Sequence, residues 1–170
     1  GSCTEFCFPA KSGQQALATL DDAAVARVIR TLSARRTRRL FTVDGAVLGA
    51  EDVNDRLGAL TRSEVTLKDF RTWRGTTVAF RELRAHLDAE DKETQVIAAI
   101  DAASEALGNT RAVARAHYVH PHVVDAYLDG RLAAFLKRWK GRARQGLDKD
   151  EVALLGFLPK ALTHWTDGVG

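Results

Sequence analysis

The chain has 170 residues, of which 45% are hydrophobic, and this content is sufficient to bury the core of one domain. Its 25 lysine and arginine residues exceed its 22 aspartate and glutamate residues by a formal charge of +3, which does not by itself identify a nucleic-acid-binding protein. No apolar run is long enough to span a membrane. Because methionine is absent even at position 1, and because residues 1–2 read as a cloning remnant, we expect a piece of a longer protein.

The first part of the chain predicts a β-hairpin over residues 5–20. Residues 6–8 are a short β-type run, and residues 14–20 alternate in the way typical of a returning strand, with turn-forming residues between them. Cys3 and Cys7 would lie on the same face of one strand but too far apart for a disulfide. With no second pair to complete a zinc site, they are predicted to be reduced thiols.

Apolar periodicity and capping residues predict about seven helices behind the hairpin. Between the first two of them, Asp44-Gly45 indicates either a second, very small hairpin or a loop. A linker is predicted at residues 141–145, before a small C-terminal helix. The predicted helical spans are Asp21 or Asp22 past Leu32, Glu51 to Leu60, Thr66 to Leu87, Asp91 to Gly108, Thr110 to Tyr118, Pro121 past Leu128, Leu132 to Trp139, and Asp148 to Leu158.

Two of the predicted helices have apolar faces that we expect to turn inward. Phe70 and Trp73 are three residues apart, so they share a face and are predicted to anchor their helix in the core. In the next helix the inward positions are predicted to be Val96, Ile97, Ile100 and Ala103.

Tyr118 lies in a part of the sequence that is rich in cations. A tyrosine that attacks a phosphodiester benefits from nearby positive charges, because they favour the phenolate and hold the phosphate. The candidate cations closest in sequence are Arg111, Arg115, His117 and His120.

Three further residues suit the same chemistry, although each also has an ordinary interpretation. Arg71 offers a planar fork that matches two phosphate oxygens, or it is a surface arginine paired with Asp69 or Glu64. Asn109 can donate an amide N–H to a phosphoryl oxygen, or it ends a helix or forms a local turn. Lys11 can carry a proton to a leaving oxygen, or it is a solvated turn lysine.

Together, three stretches of the chain resemble type IB DNA topoisomerases, in particular the compact bacterial and poxvirus-like enzymes. The resemblance covers nearly the whole chain, from the hairpin to the helices after the tyrosine. The stretches are Phe8-Pro9-Ala10-Lys11-Ser12-Gly13, then Lys68-Asp69-Phe70-Arg71-Thr72-Trp73-Arg74-Gly75-Thr76, then Leu107-Gly108-Asn109-Thr110 and Ala114-Arg115-Ala116-His117-Tyr118-Val119-His120-Pro121.

The resemblance implies a mainly α fold with a small N-terminal β-hairpin, as in a fragment of a tyrosine recombinase/topoisomerase IB-like catalytic domain. Residues 3–140 would be this fragment, with its helical part at residues 21–140. Residues 141–170 would be a C-terminal linker and helical extension. The implied partner is double-stranded DNA, the implied state is a monomer without membrane attachment, and the implied location is cytoplasmic, at the bacterial nucleoid.

The same resemblance implies roles for the candidate residues. Tyr118 would form a 3′-phosphotyrosyl bond with one DNA strand, and Arg71 would stabilise the charge of the transition state. Asn109 would add a neutral hydrogen bond where relatives often carry histidine, and Lys11 would protonate the departing 5′ oxygen. No ATP, metal or other cofactor would be needed. Further DNA contacts are expected from Lys68, Arg74, Arg115 and Thr110.

The chain departs from the family at one catalytic position. Type IB topoisomerases use a second arginine before the hairpin lysine, and residues 1–10 contain no arginine. We therefore expect a C-terminal fragment that relaxes supercoiled DNA weakly or not at all. Two alternatives stay open: a tyrosine recombinase or integrase, in which histidine usually stands where this chain has Lys68, and a non-catalytic helical DNA-binding module in which Tyr118 only packs.

Overall fold

The computed structural model describes residues 2–9, 15–35 and 37–158. These residues form a mainly helical chain that begins with a small antiparallel hairpin, which confirms the predicted fold class. The chain divides into two compact units, Gly1–Thr66 and Leu67–Gly170. Among the described residues, no helix combines the length and the apolar character that a membrane span requires.

The first unit begins with the predicted hairpin. Strand β1 (Cys3–Pro9) pairs antiparallel with β2 (Gln15–Asp21), so the pairing extends beyond the predicted ends of both strands. The hairpin forms a two-stranded sheet. Phe8 is 48% exposed, and both cysteines are free and exposed.

Helix α1 (Ala23–Ser33) follows, and the Asp22 side chain caps its first turn. Strands β3 (Thr42–Val43) and β4 (Ala46–Val47) form the second small hairpin. Its turn residues Asp44 and Gly45 both have positive φ, which is the geometry that an Asp-Gly turn favours. Helix α2 (Ala50–Thr61) ends the unit.

The second unit contains six helices among its described residues, and their starts follow the predicted capping residues. Asp91, Thr110 and Asp148 cap α4, α5 and α8 with their side chains, and Pro121 occupies the first turn of α6. The helices are α3 (Leu67–Ala85), α4 (Lys92–Leu107), α5 (Arg111–His117), α6 (Pro121–Leu128), α7 (Arg131–Arg138) and α8 (Lys149–Phe157).

The core of this unit lies between α3, α4, α6, α7 and α8. Its largest fully buried side chains include Tyr127, Phe80, Leu83, Ile100, Leu132 and Leu154. Helix α8 belongs to this core, because Ala153 and Leu154 are buried in the same cluster. The predicted division between residues 140 and 141 stays a prediction.

Polar contacts also fasten α8 to α3. The buried Asp150 carboxylate accepts hydrogen bonds from Arg81 Nε at 2.9 Å and from Arg84. Trp73 Nε1 donates to Glu151 Oε1 at 2.9 Å. The C-terminal helix is thus joined to the helix that carries Arg71 by buried apolar contacts and by charge-assisted hydrogen bonds.

Two predicted core positions are wrong. Phe70 is 55% exposed, because it lies in the first turn of α3 and the buried part of that helix begins at Gly75. Ile97 is 43% exposed, because the buried stripe of α4 runs through Val96, Ala99, Ile100 and Ala103 and leaves Ile97 beside it. Trp73 does pack against the core as predicted.

Candidate active site around Tyr118

Arg71 and Tyr118 are far apart in sequence, and the packing of α3 against α4 and α5 brings them together. The Arg71 guanidinium carbon lies 5.0 Å from the centre of the Tyr118 ring, in cation–π contact. One Arg71 N–H donates to the Leu107 carbonyl at 2.9 Å, at the end of α4. These two contacts hold the guanidinium in place. Arg71 is an exposed residue, so the N–H groups that make no contact within the protein can reach a ligand.

The main chain around Tyr118 is fixed by threonines of α3. The buried Thr76 hydroxyl donates to the Tyr118 carbonyl at 3.2 Å and accepts from the His120 N–H at 3.1 Å. One turn earlier, the Thr72 hydroxyl donates to the His117 carbonyl at 3.5 Å. Tyr118 ends α5, where its N–H still bonds to the Ala114 carbonyl at 3.0 Å. The main chain that carries the phenol is therefore fixed on both sides of Tyr118.

Gly75 allows this close approach of α3 to the tyrosine. A Cβ atom at this position would lie 2.7 Å from the Tyr118 carbonyl oxygen, 3.0 Å from Leu107 Cδ1 and 3.2 Å from Tyr118 Cβ. No larger residue fits without displacing main-chain atoms, so the glycine is required by packing and not by its φ angle. Gly75 follows Arg71 by one helical turn, which places both on the side of α3 that meets the tyrosine.

Asn109 is positioned by the end of α4. Gly108 has a positive φ of 63°, and the Asn109 N–H bonds to the Ser104 carbonyl at 2.9 Å, as in a Schellman motif. The main chain of Asn109 therefore completes the helix end, as the alternative interpretation expected. Its side-chain Nδ2 is buried and has no hydrogen-bond partner among the described residues. A buried donor of this kind is uncommon and is a candidate for a ligand contact.

The cations that surround Tyr118 in sequence do not all surround it in space. Arg111 is ion-paired with Asp101, and this hydrogen bond lowers the pKa of the aspartate. His120 is buried, and burial lowers its pKa, so the imidazole is neutral near pH 7. The prediction of a cationic neighbourhood is therefore wrong for His120, and for Arg111 it stays a prediction, since its charge is shared with Asp101. The His117 ring lies 6.4 Å from the Tyr118 ring, edge to face, and Arg71 is the cation in contact with the phenol.

The remaining predicted site residues are placed as follows. Lys11 lies outside the described residues. Thr110 caps α5 by accepting from the Val113 N–H at 3.4 Å, so its hydroxyl already has a structural role. Lys68, Arg74 and Arg115 are exposed. The described residues contain no group of three or more histidine, cysteine or acidic side chains that could hold a metal ion.

Sequence reasoning missed Gly75 and Thr76, which contact the tyrosine segment, and the Leu107 carbonyl, which holds Arg71. One signal was available for Gly75. A glycine inside a helix costs about 1 kcal/mol relative to alanine, so a glycine in the middle of the predicted α3 indicated a close contact there. Thr76 carried no comparable signal, because its partners are main-chain atoms of a distant segment.

A mainly helical domain that places an arginine against a tyrosine, with an unpaired amide donor just after the helix end that holds the arginine, has the parts of a phosphodiester-binding site. Residues 5–138 match the model of the family described as eukaryotic DNA topoisomerase I, catalytic core, and the chain belongs to this family. Membership confirms the resemblance to type IB topoisomerases and makes the chain part of an isomerase that acts on DNA. The bacterial or poxvirus-like affinity stays a prediction. No curated protein matches the chain.

Proposed function

We propose that this chain is the tyrosine-bearing part of a type IB topoisomerase, which relaxes supercoiled DNA by transient cleavage of one strand. The observation that carries the proposal is the contact between the Arg71 guanidinium and the Tyr118 ring. A phosphate that reached the tyrosine oxygen would meet the free N–H groups of the same guanidinium. A cation held there favours the phenolate and offsets the charge that develops on the phosphorus oxygens.

The reaction is a transesterification. The Tyr118 oxygen attacks the phosphorus, a 3′-phosphotyrosyl bond forms, and the bond from phosphorus to the 5′ oxygen breaks. The phenolic proton is lost, and the leaving oxygen takes up a proton to become a 5′ hydroxyl. Because one phosphodiester replaces another, the bond energy is retained and the 5′ hydroxyl can reverse the step after the strand has rotated, so that ATP is not needed as an energy source.

Asn109 would supply a second, neutral donor. Its Nδ2 is buried and unpaired among the described residues, at the end of the same helix whose Leu107 carbonyl holds Arg71. A donor without a partner costs free energy in the resting protein, and a phosphoryl oxygen would satisfy it. Loss of one donor of this kind typically lowers a rate by about 100- to 1,000-fold. We expect a decrease of this size for Asn109→Ala.

Lys11 is proposed as the general acid for the 5′ oxygen, and the family's other arginine is proposed to come from outside this chain. Residues 2–9 precede the hairpin turn and contain no arginine. The chain alone should then cleave slowly and relax supercoiled DNA poorly. Efficient relaxation by the isolated chain would contradict this part of the proposal.

Covalent trapping tests the assignment of the nucleophile. A suicide duplex, from which the short 5′ product diffuses away, should yield a covalent 3′ adduct of this chain. Tyr118→Phe should abolish the adduct. The matched control is Tyr127→Phe, because Tyr127 is the other tyrosine, is buried, and donates its hydroxyl to the His86 carbonyl at 2.6 Å. That variant should lose stability but keep the adduct.

The outcomes separate the proposed function from its alternatives. An adduct with relaxation by a monomer supports a topoisomerase, whereas site-specific strand exchange by a tetramer would identify a recombinase. DNA binding without an adduct, even when a segment that carries the family's other arginine is supplied, would leave a non-catalytic binding module. The roles of Lys68, Arg74, Arg115 and Thr110 in DNA contact, the monomeric state and the location at a bacterial nucleoid are proposals of the same kind.

A further inference from the structure

Two short segments of the chain carry dense positive charge. Residues 27–39, in the first unit, contain six arginines and no acidic residue, and the other segment lies in the second unit. Residues 137–149, here called the basic loop, contain six lysines and arginines and one acidic residue, a charge of +5 against +3 for the whole chain. The other residues taken together are therefore slightly acidic. The cations of the basic loop are Lys137, Arg138, Lys140, Arg142, Arg144 and Lys149.

The structure leaves these charges uncompensated. All six cations are exposed. Arg138 bonds only to the Ala134 carbonyl, and the other five form no ion pair or side-chain hydrogen bond with the described part of the chain. The acidic residue of the basic loop, Asp148, is paired at 2.7 Å with Arg81 of α3 and caps α8. Its charge is thus already used within the protein.

The basic loop is also held in a defined shape. The Trp139 ring packs against Phe135 at a centroid distance of 5.0 Å. A Cβ atom on Gly141 would lie 2.5 Å from the Trp139 ring, and one on Gly156 would lie closer still, so the ring fits between α7, the loop and α8 only because both residues are glycine. A turn at Gly146 closes the loop with a bridge between Arg144 and Leu147. Cations on a fixed loop lose little freedom when they bind a ligand.

Two depressions meet at Trp139. One is a cleft of about 330 Å³ lined by Arg84, Lys140, Arg142 and Lys149 among others. The other is an open groove of about 380 Å³ lined by Arg131, Phe135 and Arg138, and Trp139 lines both. The cations thus stand around a concave surface that a chain of phosphates can follow, which is the arrangement expected of a polyanion-binding site.

This surface is separate from the candidate active site. Arg84 lines the cleft and lies thirteen residues after Arg71 on α3, which corresponds to about 20 Å along the helix axis. Neighbouring phosphates of one DNA strand are about 3.4 Å apart along the duplex axis. The distance spans roughly six nucleotide steps, so a duplex would need to extend well beyond the cleaved phosphate to occupy both places.

We propose that the basic loop binds backbone phosphates of duplex DNA away from the cleaved bond. The proposal goes beyond the catalytic role of Tyr118 and depends on the proposed function only in taking duplex DNA as the polyanion. Because such binding releases counterions from DNA, the affinity falls steeply as the salt concentration rises. Each phosphate contact contributes about −0.9 to the slope of the logarithm of the binding constant against the logarithm of the salt concentration.

The test compares two triple variants in a Tyr118→Phe background, which prevents cleavage. The loop variant is K140Q/R142Q/R144Q. The control is R56Q/R62Q/R111Q, which removes three exposed arginines outside both dense basic segments and changes the net charge equally. Circular dichroism verifies that both fold. Fluorescence anisotropy with a labelled duplex of about 30 base pairs measures Kd from 50 to 300 mM salt.

When the logarithm of the binding constant is plotted against the logarithm of the salt concentration, the slope should be less steep by about 2.7 for the loop variant than for the parent. Its Kd relative to the parent should then be about six times larger at 100 mM than at 200 mM salt. The control should keep a slope close to that of the parent. Equal losses in both variants, an unchanged slope in the loop variant, or no binding by the parent would each overturn the proposal.

Adduct formation separates this proposal from the proposed catalytic function. With Tyr118 present and the suicide duplex at saturating concentration, the loop variant should form adduct at the parent rate, because only affinity is lost. If no adduct forms but the loop variant loses its salt slope, the catalytic proposal fails and the assignment of the basic loop stands. If adduct forms and the salt slope of the loop variant is unchanged, the catalytic proposal stands and the assignment of the basic loop fails.

Discussion

The substitution Gly75→Ala adds a single methyl group at the contact between α3 and the tyrosine. The new Cβ would lie 2.7 Å from the Tyr118 carbonyl oxygen, which is several tenths of an ångström inside an ordinary contact. That oxygen is main chain and accepts from the Thr76 hydroxyl at 3.2 Å, so it cannot move away without weakening this hydrogen bond. Either α3 or the segment that carries the tyrosine must shift.

The expected effect on stability is the sum of three contributions. Overpacking costs about 1–3 kcal/mol, and a weakened hydrogen bond costs about 1 kcal/mol. Alanine in a helix interior returns about 1 kcal/mol relative to glycine. The variant should therefore lose about 1–3 kcal/mol of unfolding free energy, which for a chain of this size lowers Tm by roughly 2–10 °C.

The expected effect on chemistry is larger than the effect on folding. A displacement of the reacting group by about 1 Å can lower a rate about 100-fold. At a temperature where the variant is fully folded, adduct formation at saturating DNA should fall by about 10- to 100-fold, while the Kd for DNA stays near that of the parent. Single-turnover trapping and anisotropy measure the two quantities separately.

Gly58→Ala is the matched control for this substitution. Gly58 also lies inside a helix, and a Cβ there would meet the Ser63 carbonyl at an ordinary 3.5 Å. This variant should be as stable as the parent or more stable by up to about 1 kcal/mol, with unchanged adduct formation. If Gly75→Ala behaves in the same way as Gly58→Ala, then the contact between α3 and the tyrosine does not position the nucleophile.

Two further predictions concern charge. Asp150→Ala leaves Arg81 and Arg84 without their buried carboxylate and should cost about 1–3 kcal/mol by urea unfolding, since both arginines can turn toward water. Asp101→Ala breaks the exposed ion pair with Arg111 and should cost less than about 1 kcal/mol. Equal costs for the Asp150 and Asp101 variants would contradict a structural role for the contact between Asp150 of α8 and the two arginines of α3. Burial lowers the pKa of His120 below 6.5, so below that pH the unfolded chain binds a proton that the folded chain resists. The free energy of unfolding should therefore fall as the pH decreases from 7 to 5, and His120→Gln should flatten this dependence. If the variant shows the same pH dependence as the parent, then His120 is not its cause.

Helix and turn boundaries were readable because their signals are local. Asp22, one of the two predicted candidates, and Thr110 cap their helices as predicted, and Asp91 and Asp148 cap the helices whose predicted spans they begin, since a side-chain acceptor two or three residues before an unpaired N–H acts within one turn. The Asp44-Gly45 turn is equally local. Which face of a helix becomes buried depends on its neighbours, and this is why Phe70 and Ile97 were misplaced.

The sequence suggested the reactive residues of the candidate site, but not the contacts that hold these residues in place. Residue types alone suggested Tyr118, Arg71 and Asn109, and the structure brings the first two into contact. The contacts that fix them involve main-chain atoms, such as the Leu107 carbonyl that receives the Arg71 N–H. Carbonyl oxygens are present at every residue, so the sequence cannot distinguish the one that will be used. The ion pair between Arg111 and Asp101, which joins α5 to α4, also depends on tertiary packing.

The covalent bond itself provides the most direct test of the account. Trypsin should release residues 116–131 as one peptide, which contains both tyrosines of the chain. After the trapped DNA has been digested to a nucleotide remnant, fragmentation of this peptide by mass spectrometry locates the modified residue. We predict the remnant on Tyr118 and an unmodified Tyr127. A remnant on Tyr127 or on any other residue, or a trapped adduct that survives Tyr118→Phe, would contradict the assignment of Tyr118 as the nucleophile.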